Sequence, residues 1–573
     1  MSVRRAACAV AGGALLATAA PAQVVEKLDT LAARVDSMLP HRDTLPKRVV
    51  RGLELAPGAI RCSGQRITRI EYEPRPPGFS GKGTLTKVAM WPVRTFHMTT
   101  RARVLRAYLL LKEGAPCREV ARQESERVIR SLWFVQDVQV AAFPDGDGVR
   151  IEVRSIDELS IVANPQMNGV AVVGGRWGWN NVAGLGALVE VGSRDNGLLR
   201  EGYSLRLRLA QTLGRPVQAG FEIERRGLGE TWTADLRYPF LTDLQRYAFR
   251  AVLGSDDDYV EYRRADAPIP FQAATRGFAA IGGVRRFGSF GRTMLLGASL
   301  THDDEDVGLP VFVDSVTGAV RPFAGLVPTP APPRSVTRLN ALVGARALRF
   351  RAVEGFDALT GTQDIRLGVQ ASAQLGRSLS RSTELGDAFF LGAEVYAGWG
   401  SDRWYGATEW FWSGRHDGEG WDGRVVSGRT ALMAKPWPRA LSSVDVQYVG
   451  AGRMRVPFAV PIGGGATGLA GFARAREVGE SRLRLRVEQR QFLGRPFGLL
   501  DFGTALFAET GQLWAGETPF GIDTGWRQAV GIALLGAVPP RSRSMLRLDV
   551  VWPLQRDAFV RGVQLRAVSG NLT

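Results

Sequence analysis

The 573-residue sequence holds only 3 cysteines and 4 histidines. His41, His97, His302 and His416 stand in no zincin, nucleophile-elbow or other catalytic frame, and Ser160 has no His/Asp pattern near it. Gly463-Gly464-Gly465 lacks the flanking strand, helix and lysine of a phosphate loop. No enzyme activity, metal or cofactor is therefore expected. Two acidic runs, Asp256-Asp257-Asp258 and His302-Asp303-Asp304-Glu305-Asp306, carry the right atoms for a divalent cation but read first as solvated loops. Long hydrophobic runs are missing too. Arg, Asp, Glu or Gly cuts every apolar stretch short of the ~18 residues a membrane helix needs, which excludes a helical membrane protein.

The nearest approach to such a run is at the start. Arg4 and Arg5 form a positive n-region, residues 6–19 an apolar h-region, and Ala20-Pro21-Ala22 a small-x-small cleavage site before Gln23. Residues 1–22 are thus expected to be an export signal. Cys8 falls inside it, which leaves Cys62 and Cys117. In an oxidising compartment these two either pair, closing a loop of about 55 residues worth ~2–4 kcal/mol, or remain two thiols.

Glycine and aromatics are abundant: 68 Gly, 26 Phe and 14 Trp, spread through many short alternating segments, the texture of one large β architecture. The net charge of +17 would ordinarily suggest nucleic acid. Export argues against that partner, and the arginines alternate with apolar residues along strands instead of clustering on one helix.

Along the chain, residues 23–64 hold a short amphipathic helix (Val25, Leu28, Leu31, Val35 and Leu39 on one face) and a linker punctuated by Pro40, Pro46 and Pro57. Residues 65–155 read as a small βααββ domain. Its strands are expected at 67–73, 135–143 and 149–154, and its helices at 100–112 and 118–131, with breaks at Gly114 and Asp145-Gly146-Asp147-Gly148. From residue 158 to 573 the pattern changes to alternating segments of ~8–12 residues. Leu205-Arg206-Leu207-Arg208-Leu209 and Leu483-Arg484-Leu485-Arg486-Val487-Glu488 are the clearest, apolar on one face and charged on the other. In a membrane barrel the apolar face meets lipid and the charged face lines a polar interior. Stretches 255–259, 302–333 and 413–423 read as long external loops. What is left supplies roughly sixteen strands.

Several phrases resemble the BamA/TamA outer-membrane assembly family. Leu111-Lys112-Glu113-Gly114 followed by Trp133-Phe134-Val135-Gln136-Asp137-Val138 is similar to its periplasmic POTRA module, with Gly114, Trp133 and Phe134 in structural places. In the barrel, Asn181-Val182-Ala183-Gly184, Tyr238-Pro239-Phe240 and Arg547-Leu548-Asp549-Val550 resemble its turns and strand ends. Gly463-Gly464 with Leu469-Ala470-Gly471-Phe472 occupies the place of its inward-folded loop, followed by a strand with Glu488 and Arg490, and Asp501-Phe502-Gly503 resembles its Asp-x-Gly.

The chain departs from that pattern at Ala470, where the family carries an arginine that pairs with the Asp of Asp-x-Gly, so Asp501 would lose its usual partner. Arg474 and Arg476 are the nearest substitutes, with Glu488 as their other candidate acceptor. It departs again at Leu572-Thr573, where the family ends on an aromatic residue.

The resemblance implies a mainly β protein of the bacterial outer membrane, its small domain in the periplasm. It would handle unfolded or exported client polypeptides, with periplasmic chaperones or accessory lipoproteins as further partners. Capture would proceed by strand addition to the small domain's sheet and through the barrel seam. The alternatives are a passive pore with an arginine-rich lumen and, third, a barrel-anchored enzyme.

Overall fold

The computed structural model describes residues 57–79, 88, 91, 95 and 97–570, apart from 169–170, 195–201, 228, 262–269, 315–316, 318, 324–331, 380–387, 418–419, 457, 465–466, 473–476 and 556–561. The expected export signal and amphipathic helix, Arg474, Arg476 and the chain's last three residues lie outside these.

A small α/β domain comes first: β1 (Ser63–Arg75), α1 (Ala102–Tyr108), β2 (Pro116–Arg118), α2 (Glu119–Arg130), β3 (Val135–Asp145) and β4 (Gly148–Asp157). The sheet order is β2-β1-β4-β3, with β1 parallel to β4 and the other pairs antiparallel. The expected βααββ order is present with one strand added. At three residues β2 is too short to show any alternation.

Helix α1 also stops four residues before the sequence suggests. Leu109 turns extended (φ −76°, ψ 126°), and the Leu110 N–H donates to Ser125 Oγ at 2.9 Å. Leu109 and Leu111 are thereby buried as extended chain, which a helical reading of the leucine run could not separate from a fourth turn. In α2, Glu119 lies in the first turn and Arg127 and Arg130 in the last, each matching the helix dipole, while Val128 and Ile129 enter the core. Cys62 and Cys117 are joined beside that core.

The rest of the chain is one barrel. Among the described residues twenty strands run in sequence order round the ring, from Ile161–Asn168 to Gln564–Gly570, with the three-residue Val320–Pro322 paired on Arg292–Val313 besides; the last lies beside the first, and every pairing of sequence neighbours is antiparallel. That corrects the expected sixteen. The three stretches read as loops contain strand: Tyr247–Glu261 and Arg292–Val313 run on through the acidic residues, and Trp404–Asp417 pairs with Gly420–Ala434. Strand that rises above an apolar layer is wetted on both faces. It loses the alternation that marks a strand in sequence, and so resembles a loop.

Where the alternation holds, its phase is opposite to that of a water-soluble barrel. In Met545–Pro553 the buried residues are Met545, Arg547, Asp549 and Val551, while Leu546, Leu548 and Trp552 are 48%, 40% and 39% exposed. In Asp501–Trp514 the inward set includes Asp501, Ala505, Phe507 and Glu509, and Leu506 between them is 63% exposed. Charge is turned in and leucine out.

Candidate functional site at the barrel mouth and lumen

Strand Ser481–Gly494 places Arg482, Arg484, Arg486, Glu488 and Arg490 on its inner face by simple period two. Glu488 accepts from Arg490 Nε at 2.5 Å, Arg486 Nε at 2.9 Å and Arg547 Nη1 at 2.8 Å. Glu509, two residues beyond Phe507 on the next strand, accepts from Arg484 at 2.7 Å and from Arg486. Asp549 is held by Arg547 at 2.5 Å and Arg566 at 2.7 Å. The Phe507 ring lies beneath two of these guanidiniums, Arg486 at 4.1 Å and Arg547 at 5.0 Å. Five arginines and three carboxylates thus form one buried network across four strands. The sequence reading singled out Glu488 and Arg490, quoted Arg547 and Asp549 only as part of a strand motif, and passed over Phe507 and Glu509. Counting by twos from Asp501 and from Arg547 would have found them.

The segment between strands Ala440–Gly452 and Ser481–Gly494 folds back into the lumen. Ile462, Leu469, Ala470 and Phe472 are buried against Ala505, Phe507, Leu513, Ala533, Leu535 and Val551. Gly463 bridges Leu469, and the Gly468 N–H donates to Gly464 O. Gly471 adopts φ +81°, and a Cβ there would come within 3.1 Å of Val551. Ala470, at the departure from the family pattern, donates its backbone N–H to Glu509 at 2.7 Å. A main-chain donor and apolar packing therefore hold the loop at this point.

Asp501 has partners among the described residues, while its expected substitutes Arg474 and Arg476 lie outside them. It is fully buried at the end of its strand nearest the small domain. There it accepts from Arg495 Nε at 2.5 Å, from the Arg541 N–H at 2.8 Å and from Thr360. Its partners come from the turn just before it and from turns on two other strand pairs. Among the described residues no cluster of metal ligands is found. Asp303 pairs with Arg338 and Arg276, and His302 with Asp304.

The small domain sits on one end of this barrel. Arg101 donates to Ala183 O at 3.0 Å, Asn181 to Thr100 Oγ1 at 2.8 Å, and Trp133 Nε1 to Asn180 O at 2.9 Å. Gly186, at φ +66°, lets the barrel turn approach the Phe134 ring so closely that a Cβ would stand 2.8 Å from it. Trp133 and Phe134, assigned from sequence to the domain's own packing, thus also form its seat on the barrel. Gly114 lies away from that seat, its N–H on Ile67 O.

Thr242 donates to Glu124 at 2.6 Å, and Arg543 to Leu132 O and Val135 O at 2.6 and 2.7 Å. At the centre Arg130 is forked on Asp364 at 2.7 and 2.9 Å and also paired with Glu126 and Asp137. Burial opposes the Arg130 charge, but Asp364 and the other two carboxylates outweigh it and push its pKa up. Burial likewise pushes the Tyr108 hydroxyl, which donates to Ala210 O, up to about 12.

These contacts reach barrel turns from residue 180 through 210, 242 and 364 to 543, well over half of the ring. Among the described residues no hydrogen bond joins the domain to the turns at 401–403 or 435–439.

The domain's sheet edges are unequal. On β3 the outer edge is occupied: Arg122 donates to Val140 O at 2.5 Å, and the Ile60 N–H to Ala142 O at 2.8 Å. On β1 the outer edge is covered by β2 and Ala115 as far as Ile67, and Glu113 accepts the Ile70 N–H at 2.9 Å.

No family model matches the chain, and no curated protein does. Among solved structures, BamA from Haemophilus ducreyi lacking POTRA domains 1-3 is similar at 14% identity over 88% of this chain and 84% of that one, with a TM-score of 0.37. CdiB from Escherichia coli is similar at 12% over 88% and 76%, TM-score 0.40. The copper transporter OprC is similar at 8% over 75% and 83%, TM-score 0.34. Structures as different in name as BamA and a copper transporter match to a like degree, so the likeness selects no function.

Proposed function

We propose that this chain is an outer-membrane barrel whose small domain, a POTRA-like module in the periplasm, gates the mouth, and that the protein serves the insertion, assembly or translocation of client polypeptides. The membrane placement rests on the inverted alternation, which leaves leucine and tryptophan on the outside of a ring with charge inside. The observation that carries the client-handling role is the seat of the domain. A domain ion-paired through Arg130 and Asp364 across the mouth, above a lumen holding a packed loop, is no help to a passive pore, but it suits a channel opened only when something binds.

Because β3's edge is occupied, strand capture falls to β1 beyond Ile70, where Tyr72 and its neighbours present main-chain groups past the end of β2. No enzyme role is proposed. The test is depletion of the protein followed by quantitative proteomics of the outer membrane. Loss of a defined set of other barrels or exported proteins is expected. An unchanged outer-membrane proteome, with reduced solute uptake, would replace this reading by that of a passive channel.

A further inference from the structure

Cationic side chains gather where the rim passes from the turns that the small domain contacts to those at 435–439 and 495–500. A cavity of about 520 Å³ opens there between the turn after Arg334–Glu354 and the turns at 435–439 and 495–500. Its wall carries five cations, Lys435, Arg439, Arg490, Arg495 and Arg541, against one carboxylate, Glu354. Three of the five are neutralised: Arg490 by Glu488, Arg495 by Asp501 and Arg541 by Glu354. Among the described residues Lys435 and Arg439 are in no ion pair. Lys435 Nζ donates only to main-chain oxygens of Glu354 and Asp402 and lies 4.0 Å from the Phe356 ring centroid, and the Arg439 guanidinium lies 6.0 Å from that of Phe492.

Glu354, already paired with Arg541, and Asp402 act on Lys435 only at longer range, so the recess keeps an excess of positive charge that a bound anion would offset. The backbone adds an independent observation. Arg439 and Arg541 both adopt left-handed conformations, φ +68° and +70°, which an L side chain takes only at a cost in strain. Glycine would relieve that strain at either place. A long cationic side chain stands there instead, and both reach the same cavity.

We propose that this recess is a binding site for a phosphate group, with Lys435 and Arg439 as its principal charged donors. Guanidinium and ammonium groups side by side suit the fork and point-charge recognition of phosphate oxygens. Trp437 and Phe497, 53% and 68% exposed on the same two turns, mark the level at which interfacial aromatics gather, the level of lipid headgroups. The natural source of the phosphate is then the headgroup of a phospholipid in the leaflet on the domain's side, which rests on the membrane reading above. A free phosphate anion offers the same chemistry.

The experiment uses the full folded chain in zwitterionic detergent, titrated with a short-chain phosphatidic acid, a short-chain phosphatidylcholine, inorganic phosphate and an acidic peptide. Binding is read calorimetrically, and fold by retarded mobility in cold SDS. Saturable binding of phosphatidic acid or of inorganic phosphate is expected, weakened about tenfold or more in Lys435→Gln and in Arg439→Gly. Preference for the lipid over phosphate assigns the source to a headgroup, and equal binding assigns it to a free anion.

Arg439→Gly separates a ligand role from a structural one, because it removes the charge while relieving the strained backbone, so the heat needed to unfold the barrel should not fall. A barrel destabilised by Arg439→Gly with binding intact would overturn the proposal. So would saturable binding of the acidic peptide alone, or no saturable binding of either phosphate ligand. A chain that shows normal heat-modifiable mobility yet binds no phosphate would refute this site and leave the barrel's placement in a membrane standing.

Discussion

At the scale of single residues, Glu488 shows how a lumen full of arginine is held together. Three guanidiniums converge on its carboxylate, and Arg486 and Arg547 also flank Phe507. Removing one member of a buried ionic set strands the rest, so Glu488→Ala is expected to cost about 3–5 kcal/mol. It should lower the temperature at which the band shifts to unfolded mobility in SDS, whereas a rim change such as Arg351→Ala should leave that temperature nearly unchanged. A Glu488→Ala barrel as heat-resistant as the parent would show the network to be solvated.

A second residue, Glu119, ties the chain at Cys62 to helix α2 within the small domain. Burial alone would raise its carboxyl, but Arg122 and the Cys62 N–H outweigh burial and hold it below its ordinary value of 4.5. A carboxylate lowered in the folded state stabilises above its unfolded pKa, and that contribution is lost as pH falls through the folded value. Limited proteolysis of the domain should therefore speed up below pH 4.5. Glu119→Gln should flatten that dependence, and an unchanged slope would mean that other carboxylates set it.

At the scale of elements, what the sequence made legible was the period. Strands such as Ser481–Gly494 alternate so strictly that inner and outer faces follow from counting, and the two helices of the small domain follow from their apolar stripes and from Gly114. What it hid was local. The strand Arg292–Val313 crosses an acidic run that reads as loop, and β2 is held by pairing with Ser63 and Arg66, a long-range contact with no sequence signature.

The inward loop was visible as a cluster of glycines, but its anchor was not. A backbone N–H at Ala470 carries no side-chain signal, and Arg495 meets Asp501 only because a turn brings it round. Gly471→Val tests the loop directly. The new side chain would face Val551 and demand a left-handed backbone, so the loop should leave its seat. Single-channel conductance in planar bilayers is then expected to rise. A variant with parental conductance would mean that the loop does not fill the path.

For the whole molecule, the question is whether the domain moves. Glu124 and Thr242 face each other across the junction, their side-chain oxygens 2.6 Å apart. Glu124→Cys with Thr242→Cys, joined through a short disulfide-containing thiol crosslinker that makes up the length lost from Glu124, should lock the domain on the mouth, and reduction should release it. If the mouth must open for clients, the crosslinked form supports no client assembly and the reduced form restores it. Equal activity in both states would make the domain a fixed lid and move any client path to the barrel wall.

One wall of the barrel is much taller than the rest. Strands Pro270–Ser289, Arg292–Val313 and Arg334–Glu354 run to 20, 22 and 21 residues, while Ile161–Asn168 and Gly202–Leu209 have 8 each. At ~3.4 Å per residue and a tilt near 45°, twenty-odd residues rise about 50 Å, twice the ~25 Å apolar band of such barrels. Placed as proposed, the molecule is a chimney cut on a slant, with a stiff parapet of paired strands standing clear of the lipid on one flank. That parapet is the profile any antibody, phage or neighbouring cell would meet first, and its ladder hydrogen bonds give it a fixed shape where a loop of equal length would offer only a moving one.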